Sequence, residues 1–254
     1  GAATGTFTTT PTASTVNNLT INNSGGDVTL SASLTVAGTT TFTAGKLVLG
    51  SNNLTIGGSG SISGASSSNY VVTNSSGKLR ISAVGSSPRT FPIGDATYYT
   101  PVTIANTGTS DLFGVNVTIG AAPSCLSTAP NSSDDAVSAT WDISEGTANG
   151  SICAIDIDYG SVPTGSNFSA GSAVIAHCNG TQADYKDGSA AGTVVSGSGF
   201  TSFSPFGISS NAVLPIELTS FDAKILNKST LLTFSTATEL NNSHFAIERS
   251  ADAR

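Results

Sequence analysis

The sequence predicts an all-β protein, and three observations lead to that prediction. Serine and threonine are abundant, with 40 serines and 35 threonines among 254 residues, while only 10% of the residues are charged. Long solvated helices need Glu, Lys and Arg in quantity, so the composition excludes them. No twelve-residue segment keeps the apolar spacing of a helix. Short apolar pairs at alternate positions recur instead, as strands with one buried face require.

The N-terminal part of the chain carries the shortest of these patterns. We predict a Thr-rich arm over residues 1–15 and a β-solenoid-like region over residues 16–68, in which short strands stack coil upon coil about 4.8 Å apart. An ordinary β-meander is the alternative. Residues 17–21 (Asn-Asn-Leu-Thr-Ile) return as residues 52–56. The apolar pairs are Leu19/Ile21, Val28/Leu30, Leu34/Val36, Leu47/Leu49 and Leu54/Ile56.

The middle of the chain has longer strands and predicts an antiparallel β-sandwich over residues 69–212. Apolar and polar residues alternate along whole strands, for example from Val115 to Ile119 and from Cys153 to Tyr159. Such alternation indicates one buried and one solvated face. Trp141 is the only tryptophan, and we predict that it anchors the core between the two sheets.

The last segment, residues 213–254, predicts an incomplete module of the immunoglobulin or fibronectin-III type. Three strands with one apolar face leave an open sheet edge and an uncovered core. That face would carry Phe221 and Phe245, together with Leu231, Phe234 or Leu232 according to the register.

Net charge argues against nucleic acid as a partner, and the length of the apolar runs argues against a membrane span. A net charge of −7 argues against nucleic acid, which is bound by clustered Lys and Arg. No apolar run approaches the ~20 residues of a membrane span. Between Asp95 and Asp184 the chain has nine acids and no Lys or Arg, as expected of a soluble face that repels its copies. The sequence contains no Met, so we expect a processed or excised piece.

Catalytic patterns are missing from the sequence. The two histidines, His177 and His244, lie far apart and accompany no nucleophile elbow, so we expect structural roles for both. Their spacing does not suit zinc. Solenoid enzymes that cleave polysaccharides need paired carboxylates, but residues 16–63 contain only Asp27 and Lys46 as charged residues. We therefore predict no catalytic residues and no cofactor.

Calcium is the remaining metal to consider. It prefers six to eight oxygen ligands, usually from several carboxylates. Asp134 and Asp135 are adjacent in a Ser-rich loop, and Asp156 and Asp158 share the solvated face of one strand. Neither pair belongs to a D-x-D-x-D-G loop, so we interpret them as solvated acids and predict no metal site.

Two segments carry a further signal. The first includes Tyr70-Val71-Val72-Thr73-Asn74, Phe91-Pro92-Ile93-Gly94, Thr140-Trp141-Asp142-Ile143 and Ala176-His177-Cys178-Asn179-Gly180. The second runs from Leu214-Pro215-Ile216-Glu217-Leu218 to Phe245-Ala246-Ile247-Glu248-Arg249-Ser250. Together they resemble secreted surface proteins of the Bacteroidota that use type IX secretion, in which the second segment looks like the start of a fibronectin-III-like module. The resemblance implies export, a β-rich architecture and an extracellular or cell-surface role, and it supplies no catalytic residues. The chain departs from the family at Cys178, where an aromatic residue is expected.

The three cysteines allow one disulfide and one free thiol, which fits an oxidising compartment. Because Cys178 stands in the place of a family aromatic, the resemblance implies a buried thiol there. We therefore predict a Cys125–Cys153 disulfide. The side chain of Cys153 faces inward by alternation, so Cys153–Cys178 across the sandwich is the competing pairing.

These observations predict a secreted structural protein, either a pilus-like filament subunit or an adhesin. We expect copies of the chain to join by strand addition, with Phe7 of the N-terminal arm and Phe221, Phe234 and Phe245 of the C-terminal strands at the contact. A cut after Arg254, with these strands packed on the middle domain, is the alternative explanation of the unfinished module. The alternative function is a carbohydrate-binding module of a larger secreted enzyme, with a glycan or a host surface as partner. Such modules use exposed aromatic residues, and Tyr98-Tyr99 is the only adjacent aromatic pair.

Overall fold

The computed structural model describes residues 5–7, 14–73, 75–127, 131–186, 188–210, 218–226 and 229–236. Within these ranges the regular structure is 24 β-strands and three short 3-10 turns, so the predicted all-β class is confirmed. No helix in this part of the chain is long and apolar enough to cross a membrane. The chain forms two compact units, residues 1–211 and residues 212–254.

The strands are as follows. The first thirteen are β1 (Gly5–Phe7), β2 (Ser14–Val16), β3 (Leu19–Asn22), β4 (Val28–Leu30), β5 (Leu34–Val36), β6 (Thr39–Ala44), β7 (Leu47–Val48), β8 (Leu54–Ile56), β9 (Ser61–Ser63), β10 (Val71–Val72), β11 (Leu79–Val84), β12 (Arg89–Phe91) and β13 (Ile93–Gly94). The others are β14 (Val102–Asn106), β15 (Asp111–Ile119), β16 (Ala139–Glu145), β17 (Cys153–Asp158), β18 (Val174–Asn179), β19 (Gln182–Tyr185), β20 (Gly188–Ala191), β21 (Val194–Phe200), β22 (Phe206–Ser209), β23 (Leu218–Leu226) and β24 (Ser229–Thr236).

The larger unit begins as a β-solenoid with three faces, which decides against the meander. Each coil adds one short strand to each of three parallel sheets. The first sheet has the order β1-β4-β7-β10-β13, the second begins β2-β5-β8-β11, and the third is β3-β6-β9. Strands of two to six residues are stable in this arrangement because each coil supplies the hydrogen-bond partners of the next.

Apolar residues stack in columns inside the solenoid. On the second face Leu34 lies opposite Leu54, which lies opposite Leu79, and all three are 2% exposed or less. The two copies of the repeated sequence occupy different faces, because Leu19 pairs with Thr40 on the third face while Leu54 lies on the second. The repetition therefore reflects the pattern of a short strand and does not mark the length of a coil.

The prediction of a separate, unpartnered N-terminal arm is wrong. Gly5 of β1 lies opposite Val28 of β4, and Ser14 of β2 lies opposite Leu34 of β5. Gly5–Phe7 thus forms the first strand of the solenoid, and Ser14–Val16 forms the second. The physical reason is local: the next coil of the same chain offers a parallel edge, and the entropy of closing a short loop is small.

The solenoid passes into the sandwich without a break in its second sheet. β11 pairs in parallel with β8 on one side and antiparallel with β15 on the other. Parallel pairing continues to β13, beyond the expected boundary at residues 68 and 69. One cluster of buried residues includes both the solenoid columns and the sandwich interior, so the two regions share a single core.

The sandwich is formed by two antiparallel series of strands. The first continues from β11 through β15, β16, β22, β18 and β19, and the second has the order β12-β14-β17-β21-β20. Phe200 of β21 and Phe206 of β22 meet edge to face at 5.2 Å between ring centroids, which joins the two sheets. Trp141 of β16 lies between Val117 and Phe206 in register and is fully buried, as predicted.

The described part of the smaller unit is a hairpin of β23 and β24. Phe221 lies opposite Phe234, and Ala223 lies opposite Leu232, so these side chains share one face. Leu231 lies opposite Lys224 on the other face, which resolves the register left open by the sequence. Phe245 and the expected third strand lie outside the described residues.

Candidate functional site

The disulfide joins Cys125 to Cys178, with their Cα atoms 5.6 Å apart, and Cys153 is free. The predicted Cys125–Cys153 bond is therefore wrong, and so is the competing Cys153–Cys178 bond. The reason lies in the two faces of β18. Ile175 belongs to the main core, whereas Ala176 and Cys178 belong to a separate small cluster with Cys125.

A 3-10 turn, Ser124–Leu126, covers this outer side of β18. The turn is held in place by Asn131, whose side-chain amide donates to the carbonyl of Cys125 at 2.9 Å. Tyr185 in turn donates to Asn131 at 2.8 Å. The disulfide thus fastens a loop to the outside of the sandwich rather than joining its two sheets.

Cys153 points into the main core and is fully buried. Burial raises the pKa of its thiol to about 12, with a smaller contribution from the negative charge of Glu145. A thiol that remains protonated at neutral pH is a poor nucleophile and a poor metal ligand. Cys153 is therefore a packing residue.

His177 is buried in β18, and its side chain makes one polar contact with the described residues. Its Nδ1 lies 3.3 Å from the hydroxyl of Ser202, and its ring packs at 5.0 Å from that of Phe206. Within the described ranges its Nε2 has no hydrogen-bond partner, so no carboxylate orients the ring as in a catalytic triad. The sequence did not suggest the Ser202–His177 pair because 25 residues separate them. His244 lies outside the described residues.

The acids on the sandwich are used in local contacts. Asp142 accepts from Lys78 at 2.9 Å and from the hydroxyl of Ser204. Asp158 accepts from the amide of Gly160 at 2.9 Å. Asp134 and Asp135 lie in a 3-10 turn capped by Ser132. Among the residues whose placement is described, no three His, Cys, Asp or Glu side chains form a group that could hold a metal ion.

The aromatic pair considered for glycan binding is not an exposed platform. Tyr98 and Tyr99 are both half-buried. The ring of Tyr99 packs against that of the buried Tyr70, with centroids 5.1 Å apart, and burial raises the pKa of Tyr99, with a smaller effect from Asp158. Tyr70 also donates to the carbonyl of Asp95 at 2.7 Å. Tyr70 and Tyr99 therefore stabilise the turn between β13 and β14.

The hairpin carries the most exposed apolar side chains in the structure. Ile225 is 80% exposed, Phe221 is 60% exposed and Leu231 is 49% exposed. Of the residues predicted to mediate assembly, Phe221 and Phe234 lie opposite each other on this hairpin. Phe7 lies in β1, paired within its own chain, and its side chain is outside the described part. Among the described residues this unit is a two-stranded sheet, and Phe221 and Ile225 are exposed on one of its faces.

A second surface of interest is a groove between β9 and β12. By chain order, β12 is the strand that would lie next to β9 on the third face, one coil later. It pairs instead with β14 of the sandwich. In the described structure β9 and β12 are therefore both edge strands. The groove has a volume of about 210 Å³ and is lined by Ile62, Gly64, Ala65, Thr90, Pro92 and Tyr99. Beside it, Arg89 donates to the carbonyl of Gly60 at 2.7 Å.

Comparisons with protein-family models, with curated proteins and with solved structures give no match for this chain.

Proposed function

We propose that the protein is an extracellular structural subunit that assembles with its own copies into a surface filament or an adhesive layer. Subunits would be joined by strand addition, in which the C-terminal hairpin of one copy completes a sheet of another. The observation that carries the proposal is the exposed apolar hairpin, with Phe221 and Ile225 more than half accessible on a two-stranded sheet.

The remaining features support the same setting. The Cys125–Cys178 disulfide is of the kind that persists outside the reducing cytosol, and the residues quoted above resemble exported surface proteins. We therefore include secretion to the cell surface in the proposal. A head-to-tail contact between two different surfaces need not close into a ring, so its repetition from copy to copy produces a filament.

Electron microscopy and sizing of the full chain over a range of concentrations test the proposal. We expect filaments or a ladder of oligomers. Ile225→Ser removes an apolar side chain from the hairpin face and should raise the concentration needed for assembly. Leu231→Ser removes an exposed apolar side chain from the opposite face of the hairpin and is the matched control. A chain that stays monomeric at every concentration, or equal assembly by both variants, would contradict the proposal.

A further inference from the structure

The groove between β9 and β12 is bordered by two strands that each have a free edge in the described structure. β9 pairs with β6 on one side only, with Ile62 opposite Thr40. The amide of Ser61 donates to Gly38 toward β6. Because backbone groups alternate along a strand, the amide and carbonyl of Ile62 point away from β6, toward the groove. On the far side, β12 pairs only with β14.

The floor of the groove continues the core. Ile62 and Ala65 are partly buried and pack against the main core cluster, and Gly64, Thr90, Pro92 and Tyr99 complete the lining. A volume of about 210 Å³ is below that of a typical small-molecule site, roughly 300–1,000 Å³. The groove is therefore small enough to be filled by single side chains. A strand inserted beside β9 would place an apolar side chain on this floor, and its backbone would hydrogen-bond to the backbone of Ile62.

The charges near the groove favour a second copy of the chain as the occupant. None of the lining residues is charged, and the hydroxyl residues Ser61, Ser63 and Thr90 face solvent. The donated strand β23 carries one acid and one base, Asp222 and Lys224, on the face opposite Phe221 and Ile225, so it brings no net charge to this uncharged lining.

The hairpin supplies the matching donor. β1 and β2 are already paired in their own chain, so they are not available for exchange. β23 presents Phe221, Ala223 and Ile225 on one face, the alternation that a strand over an apolar floor requires. We propose that the groove between β9 and β12 accepts β23 from the hairpin of a second copy, with Ile225 or Phe221 seated against Ile62 and Ala65. This inference rests on the proposed assembly by strand addition.

Disulfide trapping between two differently tagged full-length chains tests the contact. One chain carries Ala65→Cys, and the other carries Ile225→Cys or Phe221→Cys, because the register can seat either residue. The native Cys153 thiol is buried and does not compete. We expect mild oxidation to give a mixed dimer in preference to either homodimer. Ser51→Cys, at an exposed turn of the solenoid, replaces Ala65→Cys in the control mixture and should give none.

The assembly assay separates this inference from the proposed function. Ala65→Arg buries a charge in the groove and should raise the concentration needed for assembly at least about tenfold, while Ser51→Arg should not change it. If the unmodified chain assembles but the Ala65 variants neither trap a mixed dimer nor weaken assembly, the groove is not the acceptor and the proposed function still stands. If the unmodified chain forms no oligomers, both are overturned.

Discussion

Replacement of Trp141 by Ala should destabilise the larger unit by about 3–5 kcal/mol. Trp141 is fully buried in the middle of its sheet, between Val117 and Phe206. A buried aromatic side chain removes roughly 150–250 Å² from water, which at about 25 cal/mol per Å² gives about 4–6 kcal/mol. The compactness of the unfolded chain lowers that figure by roughly 10–40%, into the same range. For a domain of this size, at about 2–4 °C per kcal/mol, the melting temperature should fall by about 6–20 °C.

Thermal unfolding followed by circular dichroism measures the effect, because the variant lacks the fluorescent residue. Trp141→Phe is the matched control. The indole nitrogen has no partner in the described part of the chain, so Phe loses volume but no hydrogen bond and should cost about 1–2 kcal/mol. Ile152 is 49% exposed, so Ile152→Ala should change the free energy of unfolding by no more than about 0.5 kcal/mol. A Trp141→Ala variant that melts like the unmodified protein would refute the assignment of Trp141 as a core anchor.

Three further predictions follow from the cysteines and the charge. The Cys125–Cys178 disulfide closes a separation of 53 residues, so Cys178→Ser should cost about 4 kcal/mol in the chain-entropy model; non-reducing peptide mapping that finds Cys153 in a disulfide would contradict the pairing. The pKa of Cys153 is raised from 9.0 to about 12. Above about pH 9 the thiol of the unfolded chain ionises while that of the folded chain stays protonated, so the free energy of unfolding falls as pH rises from about 9 toward 12. Cys153→Ala should reduce that alkaline loss in denaturant titrations, and an unchanged profile would count against it. Added salt screens the repulsion between acidic sandwiches and should promote assembly in light-scattering measurements, whereas dissolution by salt would show that attraction between charges holds the copies together.

The regular features of the fold could be predicted from local patterns. Alternation along residues 139–145 placed Trp141 in the core, and the short apolar pairs predicted stacked strands. These predictions succeed because the face on which a side chain lies depends only on its position in the strand. The exposed apolar face of the hairpin was predicted on the same basis, with Phe221 opposite Phe234.

The features that were missed depend on which distant segment covers a face. Alternation alone places Cys178 and Ile175 on opposite sides of β18, but the sequence does not say that the turn Ser124–Leu126 covers the outer side. The groove has the same origin, because it exists only where β12 leaves the third face to pair with β14. In Arg89–Phe91 nothing distinguishes a strand of the solenoid from a strand of the sandwich.

The uneven distribution of charge along the chain follows from this topology. In the solenoid, equivalent side chains of successive coils lie about 4.8 Å apart, so a charged position repeated in each coil would form a column of like charges. Each neighbouring pair would cost roughly 1–3.5 kcal/mol at effective dielectric constants of 80 to 20. Hydroxyl groups avoid that cost and bond along the stack, as Thr39 does with Ser61 and Ser63 does with Thr41, both at 3.2 Å. Antiparallel strands bring different residues together, so acids are tolerated there, as where Asp156 lies opposite Thr103 and Ser196. The low charge of the N-terminal region therefore avoids columns of like charge in the parallel stack, and the acids are concentrated where the pairing becomes antiparallel.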